Sequence, residues 1–275
     1  ASRIVPVAPH RWHVQAMGRG PDVLLLHGAG ASSHSWHRLA ARLDDRFRLI
    51  APDLPGHGFT RSPRGRARLP EVARDLGALM AAMGAKPRAI IGHSAGAAVA
   101  LEMQRQGAVA AERLVIVNGA LEDFRGPAGL LFPMMAKMMA LNPLTGFWLS
   151  QRNSPEQVRG LIGATGTNLD EASLRLYARL VARKAHVDGT LAMMAQWSLK
   201  DLRAALPGIA TPALVLHGAR DQAVDIKAAE RSAALLPHAE FRRLDGIGHI
   251  AQEEAPELVA EAVGAFLADL LQPAA

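Results

Sequence analysis

Ser94 lies in the middle of a Gly-His-Ser-Ala-Gly segment at residues 92–96, which is a G-x-S-x-G pattern. The apolar residues before it predict a buried strand, and the small residues after it suit the start of a helix. A serine in a sharp strand-to-helix turn has an exposed hydroxyl, which is the setting of a nucleophile. Because such pentapeptides also occur by chance in ordinary turns, the interpretation depends on residues later in the chain.

A nucleophilic serine needs a base that takes its proton and an acid that orients the base. Asp221 follows the predicted strand 214–216 after a short turn, and His249 follows the last predicted strand, 240–244. Both side chains therefore fall after the carboxyl ends of predicted strands, as Ser94 does. We predict a triad in which Ser94 attacks a carbonyl carbon, His249 transfers the proton and Asp221 fixes the imidazole tautomer.

Other carboxylates stand close to the predicted position of the acid. Asp225 lies one short turn beyond Asp221, and Glu122 and Asp123 follow the strand that ends at Val117. We favour Asp221 because it lies directly in the turn after its strand. The other three carboxylates remain open alternatives.

The tetrahedral intermediate of acyl transfer needs N–H donors aimed at its oxyanion. Ala95 follows the serine and is expected to supply one donor, and Ala29, in the glycine-rich loop after the early strand 23–26, is expected to supply the other. Gly28 lets that loop approach the reaction centre closely. We also predict that Gly28 and His93 contact the substrate.

Apolar runs alternate with helical spacing over residues 1–119 and again over residues 208–275. This alternation predicts an α/β protein with a mostly parallel, eight-stranded sheet and helices on both faces. Between residues 120 and 207 the alternation stops, and the sequence is helical and rich in Met, Leu and Ala. We therefore predict a core domain of residues 1–119 and 208–275 with a helical cap inserted at 120–207.

The first part of the predicted cap is a dense apolar segment, residues 130–148, in which Lys137 is the only charged residue. Helices of this kind pack on a main domain, and methionine-rich surfaces also adapt to large apolar ligands. We predict that this segment binds substrate and touches a membrane surface peripherally. The predicted substrate-binding residues here are Phe132, Met135, Met138 and Trp148.

The chain has 275 residues, a formal net charge of +6 and no cysteine. Disulfides and thiolate chemistry are therefore excluded. No signal peptide and no apolar run of membrane-spanning length is present, so we expect a cytoplasmic protein, with membrane association only through the cap. Most of the arginines are scattered along predicted helices without a nucleic-acid motif, so no nucleic-acid partner is expected.

The histidines and glycines outside the triad do not form a recognisable cofactor motif. His10 and His13, and likewise His34 and His37, lack the context of a metal-ligand pair, and we expect them at the surface. Neither of the glycine patterns that bind nucleotides is present. We therefore predict no metal and no cofactor.

Five segments together resemble the α/β-hydrolase fold superfamily, and they follow one another in that family's usual order. The segments are His27-Gly28, residues 53–58, the serine turn at 92–96, residues 217–221 and Gly248-His249. This resemblance implies the chain order Ser, Asp, His for the triad and covers almost the whole sequence. Relatives such as haloalkane dehalogenases and epoxide hydrolases attack with aspartate, whereas the residue at this position here is serine.

A narrower resemblance joins the chain to the magnesium-chelatase accessory proteins of bacteriochlorophyll biosynthesis. It rests on short segments, namely residues 12–15, 34–37, 55–60, 93–98 and 118–121, and on Phe124, Gly126, residues 131–133 and Asn142-Pro143 of the predicted cap. The resemblance implies a role near magnesium insertion into protoporphyrin, with a tetrapyrrole and the chelatase subunits as partners.

Two functions follow from these patterns. The first is a serine hydrolase that cleaves an apolar carboxylic ester or related carbonyl substrate through an acyl-enzyme. The second is a non-enzymatic accessory protein that binds or delivers a porphyrin. The triad pattern favours the first, because a protein that only binds needs no Ser, Asp and His in register.

Overall fold

The computed structural model describes residues 1–63, 65–122, 145–151 and 154–272. Its centre is an eight-stranded sheet with the strand order β1-β2-β4-β3-β5-β6-β7-β8. The strands are β1 Ser2–Val7, β2 His10–Met17, β3 Asp22–Leu26, β4 Arg48–Pro52, β5 Ala89–His93, β6 Arg113–Val117, β7 Ala213–Gly218 and β8 Ala239–Leu244.

The sheet is parallel from β4 across to β8, and β2 pairs antiparallel with both of its neighbours, β1 and β4. Strands β5 and β7 are buried along their whole length. Strands covered on both faces need continuous apolar sequences, and the runs at the centre of this chain meet that need. The predicted eight-stranded, mostly parallel sheet is confirmed.

Helices cover both faces of the sheet. The helices of the described residues are α1 His37–Ala40, α2 Leu69–Ala82, α3 Ala95–Gln106, α4 Thr145–Ser150, α5 Pro155–Gly163, α6 Glu171–Val181, α7 Lys184–Gln196, α8 Lys200–Ala205, α9 Ile226–Ala233, α10 Ala251–Glu254 and α11 Pro256–Phe266. One core forms where α2 and α3 pack on the sheet, and a second forms on the opposite face with α1 and α11. Alternate residues of β3 serve the two cores, because successive side chains of a strand point to opposite faces.

The segment between β6 and β7, residues 118–212, is called the insertion below. Its described part contains helices α4 to α8 and no strand. Side chains of α5 and α6 form a third apolar cluster with Ala31 and Ile250, which lie in loops at the carboxyl edge of the sheet. Met193 of α7 and Leu202 of α8 belong to the first core. The insertion is therefore packed against the edge of the sheet where the predicted site lies.

Two helix ends differ from the sequence expectation because a tighter turn replaces part of the predicted helix. Apolar spacing predicts one helix over residues 35–43, but the chain forms a 3₁₀ turn, Ser33–Trp36, followed by the short α1. The spacing over residues 256–271 likewise predicts one closing helix, which ends at Phe266 and gives way to a 3₁₀ turn, Ala268–Leu271. Helix ends commonly tighten in this way.

No helix within the described ranges combines the length and the apolar character that a membrane-spanning segment needs.

Candidate active site

Ser94 forms the single-residue turn between β5 and α3. Its φ angle is 51° and its ψ angle is −117°, a backbone conformation that residues with a side chain rarely adopt. Two backbone hydrogen bonds hold the turn: Ser94 N–H donates to Val117 O at 3.0 Å, and Ala120 N–H donates to Ser94 O at 3.2 Å. The strained conformation is thus fixed by the neighbouring strand β6 and the loop after it.

The two glycines of the serine turn leave room for the close crossing of strand and helix. A Cβ atom on Gly92 would lie 2.4 Å from Gly96 O, and a Cβ atom on Gly96 would lie 2.1 Å from Leu26 O. Real Cβ atoms do not approach backbone oxygens so closely. Glycine at both positions therefore permits the close crossing of β5 and α3.

His249 and Asp221 meet at the carboxyl edge of the sheet. The imidazole Nδ1–H of His249 donates to Asp221 Oδ2 at 2.8 Å, and the side chain of Asp221 is fully buried. The second carboxylate oxygen of Asp221 accepts the backbone N–H groups of Ala223 and Val224 at 2.8 and 2.9 Å. With Nδ1 protonated in the neutral ring, the Nε2 of His249 is left as an acceptor.

Burial alone would raise the pKa of Asp221, but its hydrogen bonds and the nearby imidazole outweigh burial. The hydrogen bond from His249 and the electrostatic attraction to its imidazole contribute most to this lowering, and the Val224 N–H and the Asn118 amide add to it. The pKa of Asp221 is therefore lowered from its ordinary value, and the group is an anion at neutral pH.

The alternative acids have other partners. Asp225 caps α9 by accepting the N–H of Ala228 at 3.1 Å. Glu122 forms ion pairs with Arg203 at 2.6 Å and with Arg231 at 2.9 Å. Burial would raise its pKa, but the two arginines lower the pKa of Glu122 to about 2. Asp123 lies outside the described residues.

Asn118 joins the loops of the acid and the base, and it is not among the residues predicted for the site. Its Nδ2 donates to Asp221 Oδ2 at 2.8 Å and to Gly248 O at 3.3 Å, directly before His249. The residue is fully buried and has a φ angle of 47°. An Asn-Gly pair directly after a buried strand was the available signal, since asparagine tolerates positive φ better than most residues.

His93 contacts the backbone of the histidine of the predicted triad. Its Nε2–H donates to His249 O at 2.9 Å, and the two rings lie 4.9 Å apart. Burial, followed by the neighbouring His249, lowers the pKa of His93 to about 3, so its ring is neutral. Its Nδ1 is buried without a partner among the described residues. Contact of His93 with substrate stays a prediction.

The hydroxyl group of Ser94 makes no hydrogen bond to any residue that the structure describes. Ser94 is half-buried and follows His93, whose ring packs on His249. Hydrogen bonds between a nucleophile and its base are often long before substrate binds and shorten in the complex. The structure thus brings the three predicted residues to one edge of the sheet, with the acid–base hydrogen bond formed and the serine–base hydrogen bond not formed.

The loop after β3 lies directly on the serine turn. Ala31 N–H donates to Gly28 O at 3.2 Å, which closes a four-residue turn, and Gly30 has a φ angle of +76°. That φ value is the one required at the third position of a type II turn. A Cβ atom on Gly28 would lie 3.0 Å from the Cβ of Ser94. Glycine at position 28 therefore permits the close contact between the two loops.

His27 orients the peptide group that carries the Ala29 N–H. Its Nδ1–H donates to Gly28 O at 2.8 Å, and its Nε2 accepts the N–H of Leu54 at 2.9 Å. Burial lowers the pKa of His27, so the ring is neutral. In a trans peptide the C=O and N–H point in opposite directions, so fixing Gly28 O also fixes the Ala29 N–H. Within the described part of the chain, the N–H groups of Ala29 and Ala95 have no acceptor.

The insertion is hydrogen-bonded to the loops of both Asp221 and His249. Thr167 Oγ1 accepts the N–H of Ile250 at 3.0 Å, and Gly166 O accepts Arg220 Nη2–H at 3.0 Å. An open cleft of about 390 Å³ lies where the turn of Asp221 meets residues 163–167. These contacts fix the loops that follow β7 and β8 from the side of the insertion.

The expectation that the paired histidines lie at the surface is wrong for His10 and His13. They are only 2% and 7% exposed, and their rings are hydrogen-bonded to the buried carboxylates of Asp75 and Asp53 at 2.9 and 2.8 Å. A buried carboxylate needs such hydrogen-bond donors, and no local sequence pattern indicates that these histidines supply them. His37 is exposed, as expected.

Most of the substrate-binding residues predicted in the apolar segment lie outside the residues that the structure describes. Phe132, Met135 and Met138 lie outside the described residues. Trp148 lies on α4 with 65% of its surface exposed. Within the described ranges, no group of three or more His, Asp or Glu side chains is arranged to hold a metal ion.

The amino-acid sequence of the chain is similar to those of known proteins. The family model described as alpha/beta hydrolase fold matches residues 21–256. The magnesium-chelatase 30 kDa subunit of Rhodobacter capsulatus is 43% identical over 255 residues, and the match covers 91% of this chain and 89% of that protein. A pimeloyl-[acyl-carrier protein] methyl ester esterase of Stenotrophomonas maltophilia is 31% identical, with 94% of this chain and 97% of the esterase covered.

Solved structures extend the likeness to the whole chain. The epoxide hydrolase CorEH, solved without ligand, has a TM-score of 0.84 to this structure at 22% sequence identity, with 98% of this chain and 99% of that chain covered. At this identity the likeness concerns the fold alone.

Proposed function

Because the chain belongs to the α/β-hydrolase fold family, we propose that it is a serine hydrolase that cleaves an apolar carboxylic ester or related carbonyl compound through an acyl-enzyme on Ser94. One observation carries the proposal: the 2.8 Å hydrogen bond from His249 Nδ1–H to the buried carboxylate of Asp221, with Ser94 at the strained turn beside them. A buried acid, an oriented base and a nucleophilic serine are the parts that acyl transfer through an acyl-enzyme requires.

The reaction proceeds in two stages. In the first, Ser94 Oγ forms a bond to the carbonyl carbon of the ester while His249 Nε2 takes the hydroxyl proton. The N–H groups of Ala29 and Ala95 donate to the negative oxygen that results. Collapse of this intermediate breaks the ester C–O bond, and the alcohol leaves with the proton from His249.

In the second stage water attacks the acyl-serine. His249 takes a proton from the water as the new C–O bond forms, and it returns that proton to Ser94 Oγ as the acyl–serine bond breaks. The products are the free carboxylic acid and the regenerated serine. Asp221 remains an anion throughout and stabilises the protonated imidazole in both stages.

Two features support an ester as the substrate class. The residue at the turn is Ser94, whereas relatives that open epoxides or remove halogens attack with aspartate. One relative at 31% identity bears the name of a methyl ester esterase. The apolar character of the substrate rests on the sequence of residues 130–148, where nearly every residue is apolar.

The test is labelling by a fluorophosphonate, which reacts covalently with activated serines. The folded wild-type protein should be labelled at Ser94, and Ser94→Ala and His249→Ala should not be labelled. Asp221→Asn should be labelled slowly, whereas Asp225→Asn, which retains a helix-capping side chain, should be labelled like the wild type. A folded wild-type protein that resists the probe and cleaves no ester of any chain length would contradict the proposal.

A second candidate function has its own supporting observation. The relative at 43% identity is named as a magnesium-chelatase subunit, so the chain is a candidate accessory protein that binds or delivers a porphyrin. Its partners would then be a tetrapyrrole and the subunits of a magnesium chelatase. Titration with protoporphyrin tests this function, and Ser94→Ala should bind as tightly as the wild type if the hydroxyl plays no part.

Peripheral membrane contact through the insertion is proposed together with the porphyrin-binding function. Phe147 and Trp148 of α4 are 47% and 65% exposed, which supports such contact because aromatic side chains favour the membrane interface. When anionic vesicles are sedimented, a larger fraction of the wild type than of the Phe147→Ser, Trp148→Ser double variant should be found in the pellet. Equal retention would count against the contact.

A further inference from the structure

His186, on the first turn of α7 in the insertion, links two loops of the core. Its Nε2–H donates to Gly30 O at 3.1 Å, and its Nδ1 accepts the N–H of Gly58 at 3.0 Å. The residue is 3% exposed. No part of the sequence pattern singled it out, and it lies more than 150 residues from Gly30 in the chain.

The two partners determine the protonation of the ring. A backbone carbonyl only accepts and a backbone N–H only donates, so Nε2 must carry the proton and Nδ1 must be free of one. Burial lowers the pKa of His186 to about 4, which keeps the ring neutral at physiological pH. Both hydrogen bonds therefore exist together under ordinary conditions.

Close packing of two glycines brings His186 to this position. A Cβ atom on Gly189, one turn after His186, would lie 2.1 Å from Gly56 O. Helix α7 therefore contacts residues 55–58 backbone to backbone, with no side chain between them. The ring of His186 also packs edge-on against the ring of His57 at 5.4 Å, and its position is consequently well determined.

Gly30 is part of the four-residue turn that carries the Ala29 N–H. The carbonyl at the start of this turn, Gly28 O, is held by His27, whereas Gly30 O is held by His186. The Ala29 N–H lies between these two fixed carbonyls. An oxyanion donor acts without reorganisation only if its backbone is fixed before the reaction.

We propose that His186 is a positioning residue of the insertion that holds the Gly28–Ala31 turn, through Gly30 O, so that the Ala29 N–H is aimed at the oxyanion. This inference rests on the proposed serine hydrolase function. It assigns to the insertion a part in stabilising the transition state, in addition to any contact with substrate. The Gly58 N–H serves to orient the imidazole ring.

The test compares three substitutions in the hydrolysis of p-nitrophenyl butyrate. His186→Gln places an amide N–H near the position of Nε2, His186→Asn places an acceptor near Nδ1, and His186→Leu keeps neither. We expect kcat to fall roughly 10-fold or more in the Leu and Asn variants, with KM within about twofold of the wild type. His186→Gln should recover kcat to within about threefold.

The control is Thr190→Val, on the next turn of α7. It removes the hydroxyl that donates to His186 O at 2.9 Å but leaves the imidazole and both its hydrogen bonds in place. Its kcat should match the wild type, and circular dichroism should establish that every variant is folded. The Gln and Asn variants have similar side chains, so a general loss of packing would lower kcat in both.

The outcomes separate this inference from the function on which it rests. A wild-type kcat in His186→Leu, an equal loss in the Gln and Asn variants, or a rise in KM alone would overturn the role of His186 while the hydrolase function stands. A folded wild type that neither hydrolyses the ester nor reacts with fluorophosphonate would overturn both.

Discussion

Asn118 and His249 donate hydrogen bonds to the same oxygen of Asp221, Oδ2, each at 2.8 Å. The amide of Asn118 also reaches Gly248 O at 3.3 Å, so one side chain connects the loops after β7 and β8. Two donors on one oxygen stabilise the carboxylate form and leave little freedom for the plane of the carboxylate.

Removal of the Asn118 side chain should impair hydrolysis most strongly at low pH. Asn118→Gly suits the φ angle of 47° and removes the side chain that donates to Asp221, so the pKa of Asp221 should rise. We expect kcat to fall about 3- to 10-fold at neutral pH, by the loss of a hydrogen bond to a charged group. A pH profile of kcat checks this, and an acidic limb that coincides with that of the wild type would contradict it.

Asp221→Asn should reduce kcat by roughly 10³- to 10⁴-fold, because the amide favours the wrong imidazole tautomer. The folded structure should persist, since asparagine is nearly isosteric with aspartate. Asp225→Asn, whose side chain caps α9, is the matched control, and its kcat should change less than about twofold. Burst kinetics with p-nitrophenyl butyrate measure both, and equal losses in the two variants would refute the assignment of the acid.

Because of Glu253, the free energy of unfolding should fall as the pH rises toward neutrality. Burial raises its pKa to about 7, although the Ser35 and Tyr177 hydroxyls donate to Oε1. Because the folded pKa exceeds the unfolded value, the stabilisation is fully present below about pH 4.5 and is lost as pH rises through 7. The loss is of the order of 3 kcal/mol.

Glu253→Gln remains neutral and should remove this dependence. Above pH 7.5 the variant should be more stable than the wild type, and below pH 4.5 the two should converge. The buried neutral histidines are common to both proteins, so their effects cancel in the difference. Urea unfolding from pH 4 to 8.5 measures the difference, with the exposed Glu261→Gln as control, and parallel curves for wild type and Glu253→Gln would disprove the prediction.

Gly189→Ala should lower the kcat of ester hydrolysis although Gly189 is not part of the predicted triad. A Cβ there would lie 2.1 Å from Gly56 O, so α7 must move away from residues 55–58 and take His186 with it. We expect kcat to fall about as far as in His186→Leu, roughly 10-fold. Gly160→Ala is the control: no atom of the described residues lies within 4 Å of its Cβ position in α5, so it should stabilise the helix by about 0.5–1 kcal/mol and leave kcat unchanged.

The fold and the serine turn could be read from the sequence because the determining signals are local. The apolar runs at residues 23–26 and 114–117 specify buried parallel strands, and the glycines around Ser94 specify a close crossing of strand and helix. Asp221 could be preferred to Asp225 because it lies in the turn directly after β7. A residue that directly follows a parallel strand in the sequence thus lies at the carboxyl edge of the sheet.

The contacts made by Asn118 and His186 could not be read in the same way. Asn118 meets Asp221 across 103 residues of chain, and His186 meets Gly30 across 156 residues. No periodicity relates the two members of either pair, because each contact depends on how loops and the insertion pack in three dimensions. The burial of His13 likewise cannot be predicted from the local sequence, since its partner Asp53 is 40 residues away.

The backbone angle of Ser94 makes the native state less stable than the same fold with glycine at this position. A residue with a side chain at φ 51° and ψ −117° bears a strain of about 1–3 kcal/mol, whereas glycine adopts such angles freely. Ser94→Gly, which abolishes the nucleophile, should therefore melt at a higher temperature than the wild type. A protein whose task was only to hold a ligand would gain thermal stability by that replacement, so the strained serine is itself a thermodynamic indication that its hydroxyl is used.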